Sequence, residues 1–296
     1  MTSSRSTRDD VRVCLRPGVR VVRRDATHLQ VGLDDLGLVV ADRPATAAAL
    51  AELATGRPVA PGQLDPRLLD DLTARGLLVD PTAMTALSPA GARARASVGA
   101  AFAAHGPAAA QRLTARRSLQ VEVAGASDWA AQARELMTVA GLTVRAPDRR
   151  RRDSSGLLVL LGVGEPERAR LDDAVRAGRP HLVLAAVQGR VRVGPFVVPG
   201  VTSCLRCLDA HLSERDPRRS LVVEQQGQGL EPVDPVLGTL AVAYAARDVV
   251  TWAEGGRPAT WSATIEVSAD AESGTTPRPV SPHPCCGCGW GNHLTG

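Results

Sequence analysis

The 296-residue chain contains no lysine, so all 35 of its Lys and Arg side chains are arginines. That absence excludes a Schiff-base lysine and the phosphate-cradling lysine of a P-loop. Aromatic residues are nearly as scarce: Phe102, Phe196, Trp129, Trp252, Trp261, Trp290 and Tyr244 are all there are. Seven scattered rings do not make a base-stacking platform for single-stranded nucleic acid. Residues 1–10 are polar and charged and lack the apolar stretch of a secretory signal. No apolar run approaches the ~20 residues needed to cross a bilayer; the longest, 157–163 and 182–187, have the length of buried strands. These absences describe a cytoplasmic protein with no membrane partner. What remains is a globular composition, 44% apolar with a net charge of +4, long enough for about two domains.

Six cysteines are present, and five fall in two tight groups. Cys204-Leu205-Arg206-Cys207 is a C-x-x-C pair, and Cys285-Cys286-Gly287-Cys288 lies near the C-terminus. In a cytosolic chain, two such groups point to a metal before they point to disulfides. Four thiolates suit a tetrahedral zinc ion and leave no open position for water, so the expected site is structural. It would pin the C-terminal tail onto the body of the protein, and zinc-binding free energy would become folding free energy. The second pair is ambiguous from spacing, since Cys285 with Cys288 gives C-x-x-C and Cys286 with Cys288 gives C-x-C. Cys14 stands apart and reads as a small core residue. A zinc deaminase is excluded, because none of the six histidines is followed two residues later by Glu.

Periodicity divides the chain into parts. Residues 11–80 hold three strand-like runs, 18–24, 28–33 and Leu38–Ala41, separated by turn residues. A helix is expected over 45–54 and a second from Asp65 as N-cap with Pro66 at the first position. The run Leu72-Thr73-Ala74-Arg75-Gly76-Leu77-Leu78 has the form in which winged-helix domains end their last helix and enter a wing, so this part reads as winged-helix-like. Residues 81–117 are alanine-rich and read as a helical connector over 89–104 with a loose stretch beyond. Residues 118–200 alternate strands (119–123, 142–145, 156–161, 181–186) with helices (129–140, 167–177), which implies an α/β fold with a parallel, Rossmann-like sheet. A helix follows Cys204, then a Gln/Gly-rich loop at 221–231, a long helix over 234–252 and a last strand at 259–267. The long helix has a face of small residues, Gly238, Ala241 and Ala245, which permits close helix packing, within the chain or across a dimer.

Nucleotide signals are weak. After the first strand of this half stands only Gly125, followed by Asp128 and Trp129, where a pyrophosphate loop would need further glycines. Gly162-Val163-Gly164-Glu165-Pro166-Glu167 starts as G-x-G but carries two carboxylates where phosphate would sit. Asp148, placed where a ribose-binding acid would be, and the arginine run 149–152 read as solvated loop. No ATP site and no catalytic residue are assigned to this chain.

The run Pro199-Gly200-Val201-Thr202-Ser203-Cys204-Leu205-Arg206-Cys207, continuing to Asp216-Pro217, and the run His283-Pro284-Cys285-Cys286-Gly287-Cys288 resemble a known pattern. Together with Arg16-Pro17-Gly18 they look like the ThiF-like cyclodehydratase partner proteins of thiazole/oxazole-modified peptide (TOMM) biosynthesis. The resemblance covers nearly the whole chain and is most specific at the cysteines. It implies an N-terminal winged-helix recognition domain (11–80) and a connector (81–117). Beyond them it implies a ThiF/ubiquitin-activating-enzyme-like body (118–296) with structural zinc. It also implies a leader peptide as ligand, and as partner a YcaO-type enzyme that uses ATP to cyclise Cys, Ser or Thr. The family's H-P-x-C-G-C pattern favours Cys286 over Cys285, giving Cys204, Cys207, Cys286 and Cys288 as ligands. A homodimer is likewise implied.

In related modules the leader adds as a strand to the winged-helix sheet. Here the edge would be Leu38, Val39, Val40 and Ala41, with Leu72 as a floor and Arg67 or Arg75 meeting leader carboxylates. Two other readings compete. One is a ThiF-like adenylyltransferase activating a carboxylate, which the missing glycines and lysine oppose. The other is a winged-helix DNA-binding regulator, for which Arg20, Arg23, Arg24 and Arg75 speak and against which Asp70 and Asp71 on the same helix speak.

Overall fold

The structure is a computed structural model that describes residues 12–33, 35, 37–125, 128–145, 147, 156–226, 232–270 and 275–288. Asp148 and the arginines at 149–152 lie outside the described residues. The chain separates into two compact units, Met1–Thr114 and Ala115–Gly296.

In the first unit, β1 (Cys14–Leu15) is followed by β2 (Val21–Arg23), β3 (His28–Val31) and β4 (Leu38–Ala41). β2, β3 and β4 form an antiparallel sheet in that order, so β4 is an edge; its register pairs Gln30 with Val39 and Leu29 with Val40. Helix α1 (Pro44–Ala54) follows, then α2 (Pro66–Ala74). Asp65 caps α2 as its sequence predicts, its carboxylate accepting from the backbone N–H of Arg67 and Leu68, a cap worth about 1 kcal/mol. The helix stops at Gly76, whose φ of +63° is a conformation that favours glycine. β5 (Leu78–Val79) then returns to pair with β1. Leu38, Leu50, Leu53, Leu68, Leu72 and Leu77 close the core between sheet and helices.

Three helices follow: α3 (Pro81–Ala86), α4 (Ala92–His105) and α5 (Ala109–Ser118). The stretch expected to be loose beyond 104 is therefore mostly helical. Its signal is hidden because its apolar face is carried by Ala109 and Leu113, small or isolated residues that are nonetheless buried beside Phe102. Cys14 is 2% exposed in the same cluster, a core residue as its isolation suggests.

The second unit is built on a seven-stranded mixed sheet. Its elements are β6 (Gln120–Ala124), α6 (Asp128–Val139), β7 (Thr143–Arg145), β8 (Leu157–Val163), α7 (Arg168–Arg176), β9 (His181–Val187) and β10 (Arg190–Val197). After them come α8 (Leu205–Arg215), α9 (Arg219–Gln226), α10 (Pro235–Ala253), β11 (Ala263–Val267) and β12 (Arg278–Pro279). The order is β12-β11-β10-β9-β8-β6-β7. Only β7, β6, β8 and β9 run parallel; β10, β11 and β12 are antiparallel. The four strands expected to be parallel are so, and the antiparallel β10, β11 and β12 extend them into a mixed sheet. β10 escapes sequence reading because Arg190, Arg192, Gly194 and Pro195 interrupt its apolar run.

One further expectation changes, and another finds its use. Residues 219–226 form α9 where a Gln/Gly-rich loop was expected. The small-residue face of α10 is used within the chain: Ala241 and Ala245 are fully buried, and α10 packs on α6 and β10. Gly125 also has a packing role. A Cβ there would stand 2.8 Å from the Leu161 carbonyl, so the glycine lets the β6 end approach β8. No helix among the described residues is long and apolar enough to cross a membrane.

Candidate metal centre

The C-x-x-C pair sits on the first turn of α8. Cys204 is the N-cap and Cys207 lies one turn in, its backbone N–H returning to the Cys204 carbonyl. A helix N-terminus presents unpaired N–H groups and a partial positive charge, which favours thiolates. The tail is brought to this helix by backbone pairing. β12 lies beside β11, Val280 N–H donates to the Ser262 carbonyl, and the Ser203 hydroxyl donates to the Val280 carbonyl. A turn then follows in which Cys286 N–H donates to the His283 carbonyl at 2.9 Å.

The result gathers four sulfurs. Cys204 Sγ lies 3.5 Å from Cys286 Sγ, Cys207 Sγ lies 3.4 Å from Cys288 Sγ, and Cys204 and Cys207 are 3.9 Å apart. All four lie within 4.8 Å of one another. Cys204 and Cys207 are buried, Cys286 and Cys288 half-buried, and Cys285 is exposed and outside the group. A tetrahedron with zinc–sulfur bonds of ~2.3 Å has edges of about 3.8 Å, so the sulfurs already stand near the corners of such a site.

Protons are shared unevenly among these thiols. The hydrogen bond from Cys204 pulls Cys207 down to about 4 against the effect of burial, and the His283 backbone N–H adds to the pull. The same bond, with burial, raises Cys204. Burial and the bond with Cys207 push Cys288 up to about 12. A cation among the sulfurs would favour their thiolate forms. Four close cysteines of this kind can bind a metal ion such as zinc.

Beside the sulfurs lies a second group that the sequence reading missed. His211 and Glu214, one turn apart on α8, meet His283 with their ligand atoms within 4.8 Å. His283 Nε2 is 3.0 Å from Glu214 Oε1, and the two imidazoles meet edge to face at 4.8 Å. The bond from His283 holds the Glu214 carboxyl below its usual range. The available signal was the H-x-x-E spacing just after the C-x-x-C helix start, combined with the histidine of H-P-x-C-G-C.

The G-x-G-like run after β8 has a different use. Glu165 accepts from Arg168 at 2.8 Å and Arg192 at 3.1 Å, with Arg219 3.8 Å away. Burial would raise Glu165, but the Arg192 and Arg168 guanidiniums hold it low. Arg168 also grips Asp209 with two hydrogen bonds. Glu165, Arg168, Asp209 and Arg219 border a cavity of about 300 Å³.

In the first unit, the residues expected to bind peptide divide by exposure. Leu72 is fully buried and Leu38 nearly so; both are core, and a floor made by Leu72 is closed to solvent. Val39, Ala41, Arg67 and Arg75 are exposed and Val40 is half-buried. Arg75 Nη1 donates to the Gly37 carbonyl at 2.8 Å, tying the end of α2 to the start of β4. Of the arginines in the DNA-binding reading, Arg23 pairs with Asp42 and Arg24 donates to Gln30.

The sequence matches no family profile and no curated protein. Its fold does match solved structures. The heterocyclase TruD superposes with a TM-score of 0.66 at 18% identity, covering 94% of this chain and 43% of that one. A heterocyclase in complex with substrate and cofactor gives 0.63 at 17%, covering 94% of this chain and 40% of the other. E. coli MccB with AMPCPP and MccA gives 0.63 at 12%, with 94% and 99% covered. The chain therefore has the fold of MccB over nearly its whole length and spans about two fifths of the heterocyclases' length.

Proposed function

We propose that this protein binds the leader of a ribosomally made precursor peptide and presents it to a YcaO-type ATP-dependent cyclodehydratase that forms azolines from Cys, Ser or Thr. The observation that carries this reading is the edge strand β4. Among the described residues it pairs on one side only, with β3, and its exposed Val39 and Ala41 flank half-buried Val40. An edge strand offers unpaired N–H and C=O groups to an extended peptide, and the side chains along it supply selectivity. We read residues 11–80 as a winged-helix recognition domain and residues 118–296 as a ThiF-like, Rossmann-like body. Arg67 and Arg75 would meet leader carboxylates, and Val39 to Ala41 would supply the strand.

Cys204, Cys207, Cys286 and Cys288 would hold zinc, which supplies a closed cross-link and no chemistry at a substrate. The cytoplasm would be the place of action and a homodimer the assembly. Isothermal titration of the full chain with a synthetic leader of its candidate precursor peptide tests the reading; no heat of binding would sink it.

A second reading, a ThiF-like adenylyltransferase, draws support from the full-length fold likeness to MccB. Against it stands the G-x-G-like run after β8, whose Glu165 is paired with Arg168 and Arg192. Pyrophosphate exchange by the purified chain alone would decide for that reading.

A further inference from the structure

We infer that His283 is the positioning residue of the metal centre, and that Glu214 and His211 clasp it to the helix carrying the first pair of sulfurs. Four contacts of one residue carry this. The His283 backbone N–H donates to Cys207 Sγ. Its carbonyl accepts from Cys286 N–H at 2.9 Å. Its ring Nδ1 lies 3.1 Å from Cys285 N, and its ring Nε2 lies 3.0 Å from Glu214 Oε1. One residue thus touches a sulfur of the first pair, fixes the backbone that aims a sulfur of the second, and reaches back to α8.

The ring's proton follows from its neighbours. A backbone N–H can only donate, so His283 Nδ1 accepts from Cys285 and the ring proton is on Nε2, directed at the Glu214 carboxylate. Ser281 O can only accept, so His211 Nε2 carries the proton of that ring in the 3.0 Å contact between them. α8 is therefore fastened to the tail at two points, His211 to Ser281 and Glu214 to His283, on either side of Pro282. His283 is 8% exposed although it sits in a Pro-rich tail. Its burial has a purpose only if the ring is held.

The same tautomers decide between two uses of this cluster. His211, Glu214 and His283 are close enough to be taken for a second metal site. A metal on His283 Nε2 would have to displace the proton bonded to Glu214 and place a new one on Nδ1, against the Cys285 amide. Both His283 ring nitrogens are already bonded without an ion, so the group orients sulfur ligands and does not bind a second metal. Outer groups that orient metal ligands are commonly worth about 10–100-fold in metal affinity.

The test uses the full chain loaded with zinc, titrated against a chromophoric chelator, and separately with Co²⁺, whose absorption reports the ligand set. His283→Ala is expected to weaken zinc binding about 10–100-fold while leaving one metal per chain and a Co²⁺ spectrum of four sulfurs. His283→Asn, which keeps an acceptor for the Cys285 amide, should recover part of the loss, and Glu214→Gln, which keeps an acceptor for the ring, should lose less than Glu214→Ala. Adding Glu214→Ala to His283→Ala should cost nothing more, since the two act through one bond. Where His283→Ala unfolds the protein, the Glu214 pair alone carries the test. Wild-type affinity in His283→Ala or in Glu214→Ala, additive losses, a second bound metal, or a Co²⁺ spectrum showing a nitrogen ligand would each overturn the inference.

Discussion

Cys285 and Cys286 are neighbours with opposite situations, and the difference makes a sharp test. Cys286 Sγ lies 3.5 Å from Cys204 Sγ, whereas Cys285 is exposed outside the group. Cys286→Ser should abolish stoichiometric zinc and lower the Tm, while Cys285→Ser should keep one zinc per chain and the wild-type Tm. Metal content by mass spectrometry after dialysis reads both. A second residue, His181, bears on pH. It is fully buried, and burial lowers its pKa, outweighing the bond to the Arg179 carbonyl that would raise it; the Arg179 charge adds a smaller lowering effect. The unfolded state then takes up a proton near pH 6.5 before the folded state does. Stability should be complete above that pH and fall as pH drops toward the lower folded value, by at most about 1.4 kcal/mol per pH unit. Urea melts of the zinc-loaded protein at pH 7.5 and 5.5 should lose less stability in His181→Leu than in the parent; equal losses would refute the assignment.

At the scale of elements, β4 allows a test that depends only on its pairing. In an antiparallel ladder, successive residues alternate between bonding the partner strand and pointing away from it. Of Val39 and Val40, therefore, one directs its N–H to β3 and the other to the open edge. Proline at one position should destabilise the first unit, and proline at the other should leave the fold intact but weaken leader binding by tenfold or more. Melting and calorimetry of both variants check this; two variants that both fold and both bind would remove the edge from the proposed site. The same strand illustrates what the sequence carried. β2 to β4, the capped start of α2 and the buried strands β8 and β9 were legible because period, cap and turn residues agreed locally. β10 and α9 were not, because what keeps them in place is tertiary: β10 is fixed between β9 and β11, and Arg219 at the start of α9 faces buried Glu165. The cysteine groups were readable from spacing, but the choice between neighbouring sulfurs needed the resemblance. The His211–Glu214–His283 clasp needed three dimensions, since its members lie 72 residues apart.

For the whole molecule, the uneven distribution of aromatics becomes useful. The described tryptophans, Trp129, Trp252 and Trp261, lie in the second unit with Phe196 packed against two of them, and the first unit has no tryptophan at all. Tryptophan fluorescence therefore reads the second unit alone, while circular dichroism in the far ultraviolet reads helices and strands of both. The two units have separate hydrophobic cores, one around Leu50, Leu53 and Leu72 and one around Phe196, Leu182 and Leu184. The four sulfurs belong entirely to the second. A metal held there stabilises only the unit it cross-links, because binding to the folded state shifts that unit's own equilibrium. Removing zinc with a strong chelator should lower the fluorescence transition by several degrees, while the part of the dichroism signal from the first unit melts at its original temperature. Cys204→Ser should reproduce the chelator's effect and make the protein insensitive to further chelation. A single transition moving equally in both signals would mean that the units unfold together, and that the metal stabilises the chain as one body.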